Sequence, residues 1–155
     1  MQAVIIAAGE SSRFWPLNHN HKSQIKILGH SLVYWTVKGL VSKGISNVII
    51  VVSPNSFNQE MLQEEVQGLG IDISFVVQEK PLGTGNAVLQ AKDLIKEPFF
   101  IFWPYKIISA DVVEDILKVV QADGAELVLV GAKTKTPWDY GMARIENNQV
   151  KEIVE

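Results

Sequence analysis

Two rhythms of hydrophobic and polar residues alternate along this chain. Short apolar runs, rich in β-branched residues, fall at 3–7, 47–52, 71–77, 99–103 and 127–132. Runs without polar alternation predict strands buried on both faces, as in a parallel sheet. Between them the period lengthens to that of a helix. Over 31–42, Val33, Val37, Leu40 and Val41 share one face, Ser31 stands at the cap and Lys43-Gly44 closes the element. Residues 56–67 predict a helix with an acidic outer face carrying Glu60, Glu64 and Glu65, ended by Gly68 and Gly70. Further helices are predicted over 84–95 and over 110–122, the latter capped by Ser109 with Asp111 near its positive end. The stretch 9–23 is polar, contains Pro16 and predicts a long loop, followed by a short extended piece at 25–28. Residues 142–145 and 150–154 flank Asn147-Asn148 and predict a closing hairpin.

Strands alternating with helices predict a single-domain α/β fold with a doubly wound, mostly parallel sheet. In such folds ligands bind beyond the carboxyl ends of the strands. Four loops should therefore meet at one rim: 9–23, 78–84, 104–109 and 133–141. Composition narrows the partners. The 155 residues carry a formal charge of −3, so neither a nucleic-acid groove nor an anionic membrane is an expected partner. No cysteine is present, which excludes disulfides and thiolate metal sites. No apolar run approaches the length of a membrane span, and the amino terminus shows no basic leader, so a cytoplasmic protein is expected.

The chemistry concentrates after the first strand. Ala7-Ala8-Gly9 ends it in small residues, and Arg13 and Lys22 follow in the loop. Backbone amides at a strand tip with two cations nearby suit a polyphosphate. The dinucleotide fingerprint of three glycines is absent, as is the Gly-Lys-Ser/Thr of a P-loop. The order Ala7, Ala8, Gly9, Arg13, Pro16, Leu17, Lys22, Gly29 and Leu32 resembles the opening of the sugar-1-phosphate nucleotidyltransferases, which runs A-A-G-x-G-x-R-x-x-P-L-T, then P-K, a strand and G-K-P-L. Ser11 replaces the second glycine, Asn18 the threonine, His21 the proline and His30-Ser31 the Lys-Pro. His19 and His21 otherwise suit a solvated loop. A second segment, from Gln78 through Pro81, Gly83 and Thr84 to Ala87, resembles the family's Q-x-x-P-x-G-T-A/G-x-A. A third, Tyr140-Gly141 through Val154-Glu155, resembles its Y-G-V-V and I-V-E-K segments.

The resemblance implies a Rossmann-like nucleotide-diphospho-sugar transferase fold and a portion of a longer catalytic domain. It implies that Ala7, Ala8, Gly9, Gln78, Pro81, Gly83 and Thr84 hold a nucleotide. Gln78 has a donor and an acceptor side by side for the base. Arg13 would bind the β- and γ-phosphates, Lys22 would stabilise the α-phosphate in flight, and Gly141 and Glu155 would hold sugar hydroxyls. The implied substrates are a nucleoside triphosphate and a sugar-1-phosphate, and Gly85-Asn86 leans toward UTP or dTTP. The implied cofactor is Mg²⁺, yet Tyr105 stands where the family has its metal aspartate, with Glu79, Asp111 and Asp139 the nearby carboxylates. A homo-oligomer is compatible with this reading. The other class is a non-catalytic nucleotide or nucleotide-sugar binder that has lost the metal aspartate.

Overall fold

In a computed structural model of the chain, the residues described are 1–9, 15–16, 21–54, 59–104 and 107–154, with only the backbone at 107–109. The chain divides into two compact units, Met1–Glu114 and Asp115–Glu155. The first unit is built on a four-stranded parallel sheet in the order β5-β4-β1-β6. Its strands are β1 (Gln2–Ala7), β4 (Asn47–Val52), β5 (Asp72–Val77) and β6 (Phe99–Phe102). A small ladder, β2 (Lys26–Ile27) with β3 (His30–Ser31), leads into α1 (Leu32–Ser42). Helix α2 (Gln59–Val66) joins β4 to β5, and α3 (Thr84–Gln90) follows β5.

The two central strands, β1 and β4, are buried on both faces because they carry apolar side chains at every inner position, whereas the expected two-faced burial is not met in β5 and β6, whose alternate residues are exposed at the sheet edges. Val4, Ile6, Ile49 and Val51 pack with Ala87 and Ala91 in one core cluster, so α3 covers that face. The alternate residues Ala3, Ile5, Val48 and Ile50 are equally buried on the other face. Right-handed crossovers put α1 and α2 there, since the chain first moves outward from β1 to β4 to β5. It then returns across the sheet to β6, so the topology reverses between β1 and β6. Each fully buried Ile or Leu here contributes about 2 kcal/mol.

Local chemistry sets the ends. The Ser31 hydroxyl caps α1 by accepting from the Tyr34 amide at 3.1 Å. Glu65, expected on a solvated face, instead turns inward: its carboxylate accepts from the Ser31 hydroxyl at 2.6 Å and from the Ser31 amide at 3.2 Å. That ties α2 to the start of α1. The expected helix over 84–95 ends at Gln90 and tightens into a 3₁₀ turn at Lys92–Leu94, because Pro98 lies just ahead and the chain must turn into β6. Ser109 does not cap a helix directly. A 3₁₀ stretch, Ile107–Val112, precedes α4 (Val113–Asp123). Gly39 of α1 lets this stretch in, for a Cβ there would meet the Ala110 Cβ at 3.0 Å.

The second unit holds the predicted hairpin, β7 (Met142–Glu146) with β8 (Gln149–Val154). Asn147 and Asn148 have φ of 51° and 62°, the positive pair that a two-residue hairpin turn needs. The strand expected at 127–132 does not form. Leu127, Leu129 and Val130 are exposed there, and the segment has no ladder partner in any sheet among the described residues. An apolar run becomes a strand only where an edge accepts it. No helix among the described residues is long and apolar enough to cross a membrane.

Candidate functional site

A cleft of about 360 Å³ opens at the carboxyl end of the sheet. Its walls come from the ends of three strands. After β1 come Gly9 and, past the loop, His21 and Lys22; after β5 come Gln78, Pro81, Gly83 and Thr84; after β6 comes Trp103. This is the position at which the topology reverses, where neighbouring chains diverge and leave a crevice. Six sequence-expected residues thus line one space: Gly9, Lys22, Gln78, Pro81, Gly83 and Thr84. Ala7 and Ala8 are buried directly beneath, at the strand tip. Gly141 is exposed and precedes β7 in the second unit. Arg13, Tyr105 and Glu155 lie outside the described residues, as do His19 and Lys106.

The first wall is held by a histidine that sequence reasoning assigned to a solvated loop. His21 is only 4% exposed. Its Nε2 lies 2.6 Å from the Gly9 carbonyl, which can only accept. Nε2 therefore carries the proton and donates. Nδ1 is left to accept, and the Ser23 amide and hydroxyl both point to it. These partners agree on one neutral tautomer. Burial holds the His21 imidazole below its ordinary value, the Gly9 carbonyl opposes that shift, and the Lys22 charge adds to it. The ring joins the end of the β1 segment at Gly9 to the chain just before Lys22, which lines the cleft. Lys22 itself opens a 3₁₀ turn, Lys22–Gln24. The space beside Gly9 is open, since a Cβ there would meet nothing within 4 Å.

The second wall is a loop locked by its own polar groups. The Gln78 amide donates to the Val52 carbonyl at 2.8 Å, extending the ladder beyond β5. Gly83 has φ 89° and ψ 175°, a conformation open essentially to glycine alone. It is the cap residue of α3, so Thr84 is the first residue inside the helix and not its cap. The Gly83 carbonyl accepts from the Ala87 amide at 3.1 Å and from Gln78 Nε2 at 3.2 Å. Gln78 Nε2 also donates to Asn86 Oδ1 at 2.8 Å. The donor side of Gln78, expected to face a base, is thus spent inside the loop.

The third wall is anchored from α1. Thr36 Oγ1 lies 3.1 Å from both the Leu32 and the Pro104 carbonyls, so the segment leaving β6 is tied to that helix. Trp103, just past β6, lines the cleft. Trp103 continues the exposed set of β6, after Phe99 and Ile101, one residue past the strand end.

The described lining contains one ammonium and no carboxylate. Among the described residues no group of three or more His, Asp or Glu could hold a metal ion. Mg²⁺ requires hard anionic oxygens, so these residues do not fit it. Glu79 and Asp111 are exposed and Asp139 belongs to the second unit. What the arrangement can do is bind an anion against Lys22 and a planar polar ring against the Gln78–Thr84 loop.

Residues 2–155 match the profile of a family described as Nucleotidyl transferase. The mannose-1-phosphate guanylyltransferase catalytic subunit beta of Danio rerio is 30% identical over 161 residues, covering 96% of this chain and 42% of that protein. The glucose-1-phosphate thymidylyltransferase of Streptomyces griseus is 24% identical, covering 96% of this chain and 42% of that one. The solved structure of a UDP-glucose pyrophosphorylase complexed with UDP-glucose superposes with a TM-score of 0.74 at 22% identity, covering 99% of this chain and 68% of that one. That likeness establishes the fold. The chain spans less than half the length of these two curated relatives.

Proposed function

Since this chain belongs to the Nucleotidyl transferase family, we propose that it is the nucleotide-binding portion of a sugar-1-phosphate nucleotidyltransferase. The reaction is attack by a sugar-1-phosphate oxygen on the α-phosphorus of a nucleoside triphosphate. The new P–O bond forms as the bond to the β-phosphate bridge oxygen breaks, and pyrophosphate leaves. Such a step brings two polyanions together, so catalysis is mostly positioning and charge stabilisation. The observation that carries this reading is the cleft itself, in which Lys22 and the Gln78–Thr84 loop face one space at the topological reversal.

In this reading Ala7, Ala8 and Gly9 hold the nucleotide, Arg13 the outer phosphates, and Lys22 the α-phosphate. Gln78, Pro81, Gly83 and Thr84 flank the base, and Gly141 and Glu155 receive the sugar. UTP or dTTP is the favoured donor, and the cytoplasm is the setting. The relatives' names span guanylyl, thymidylyl and uridylyl transfer, so fold alone does not choose the base.

The absence of a carboxylate from the described lining favours a second reading, a non-catalytic nucleotide or nucleotide-sugar binder. One experiment separates the two: pyrophosphate release from UTP, dTTP, CTP and GTP with several sugar-1-phosphates, with and without Mg²⁺, beside direct nucleotide binding. Release identifies the transferase. Binding without release leaves the binder, and loss of both would sink the two together.

A further inference from the structure

Two features of the first wall bear on an anion, and one side chain governs both. The Gly9 carbonyl stands at the cleft just past β1, where its partial negative charge opposes a phosphate. His21 Nε2 donates to it at 2.6 Å and takes up that charge. On its other side the same ring caps the Lys22–Gln24 turn: Nδ1 accepts from the Ser23 amide at 3.3 Å and from the Ser23 hydroxyl at 2.5 Å. Ser23 is fully buried, which leaves water no access to replace that acceptor. Lys22, the first residue of the turn, lines the cleft beside His21.

Resting on the nucleotide-binding reading above, we infer that His21 is a positioning residue for the phosphate end of the cleft and that it acts only as the neutral ring. A second proton on the ring goes to Nδ1, where it meets the Ser23 amide, donor against donor. The Ser23 hydroxyl can turn to accept it, but the amide cannot, so the turn that carries Lys22 loses its cap. Charge alone predicts the opposite, since an imidazolium beside Lys22 would draw an anion in. The two effects therefore oppose each other as pH falls. Among the described residues Lys22 is the charged group that acts on the ring, and together with burial it favours the neutral form. The other surroundings are neutral. Ala7, Ala8 and Gly9 end the β1 segment, and Glu79 and Lys80 of the second wall are exposed and outside the lining. On α1, which packs against the turn, Lys38 lies over the Trp35 ring, Lys43 pairs with Glu114, and Tyr34 stacks on His30.

Nucleotide-sugars test this, because a diphosphate esterified at both ends keeps its charge between about pH 8 and 5, whereas a terminal phosphate titrates near about pH 6. The full chain is titrated with UDP-glucose, dTDP-glucose and GDP-mannose, and the tightest binder is followed from about pH 8 to 5 with folding monitored throughout. Affinity should fall about three- to tenfold on acidification, as the fraction with a capped turn declines. His21→Gln and His21→Asn carry no titrating ring; they should bind more weakly than the unaltered protein at about pH 8 and show a flat profile. Imidazole nitrogen shifts in the complex should report a neutral ring with its proton on Nε2. Affinity that rises on acidification, profiles that run parallel in the protein and both variants, or an imidazolium in the complex at about pH 7 each overturn the inference and leave the nucleotide-binding reading intact. Variants that bind as tightly as the unaltered protein show a merely structural ring and overturn it too. Binding of none of the three nucleotide-sugars also ends it, and the triphosphate titrations above then decide whether the nucleotide-binding reading falls as well.

Discussion

The two ends of the sheet each hold a buried glutamine, and the two are used in opposite ways. At the amino end, Gln2 is 3% exposed. Its Nε2 donates to Asn47 Oδ1 at 3.1 Å and to the Leu94 carbonyl at 3.0 Å, and its Oε1 accepts from the Lys96 amide at 2.7 Å. Donor and acceptor are both matched within the protein, and the end is closed. At the carboxyl end, Gln78 is 4% exposed and its two side-chain N–H groups are matched, but its side-chain carbonyl has no partner among the described residues. One amide stitches a strand to its neighbours. The other, held as firmly, leaves one polar atom without a protein partner among the described residues, beside an open cleft. Burial alone therefore does not separate the two; the count of matched atoms does.

Substitutions at the two ends should separate stability from function. Lys22→Ala has the largest expected effect: turnover falls about 10²- to 10³-fold, as for loss of one transition-state charge contact, while nucleotide affinity falls less than about tenfold. Steady-state kinetics beside direct titration would show it, and an equal loss in both would contradict the assigned role. Gln2→Leu strands the Lys96 amide, the Leu94 carbonyl and the Asn47 side chain together. Denaturant unfolding should show a loss of about 2–4 kcal/mol, with nucleotide affinity of the folded protein unchanged. Gln78→Leu reverses that pattern. Affinity for UTP should drop about tenfold for about 1 kcal/mol of stability, since fewer groups are stranded.

The smallest effect is a pH dependence at His21. Its folded value lies below the ordinary one because the ring is buried. The unfolded chain therefore binds the imidazole proton first as pH falls. Stability from this group is fully present above about pH 6.5 and declines below it until the folded value is passed, by at most about 1.4 kcal/mol per pH unit. Unfolding titrations from about pH 8 to 5 on the protein and on His21→Gln should differ by that slope. Parallel curves would mean that the Gly9 staple contributes nothing specific to the neutral ring.

Much of the carboxyl-end site was legible before folding. Gly9 and Lys22 stand out by residue type at a strand tip, Gln78 and Gly83 by the resemblance of their segment, and the four do line one cleft. His21 was not legible in that role. A histidine in a polar stretch looks solvated, and only the approach of the Gly9 carbonyl makes it a buried donor. Glu65 misled for the same reason: on a helical wheel it belongs with Glu60 and Glu64, and only the neighbouring start of α1 supplies Ser31 as its partner. The apolar run at 127–132 had the right composition for a strand, but it pairs with no strand among the described residues.

What the sequence determined by itself is the alternation of elements and the residue types at the strand tips, because these depend on periodicity, side-chain branching and backbone freedom within a few residues. The hairpin turn at Asn147-Asn148 and the glycine at 83 are of this kind. Tertiary structure decided which polar atoms remain unmatched. Gln78 carries the same amide as Gln2, and the difference between them arises from where Gly83 and Asn86 stand relative to it. A hydrogen bond needs two partners in place, and the position of the second is a property of the fold.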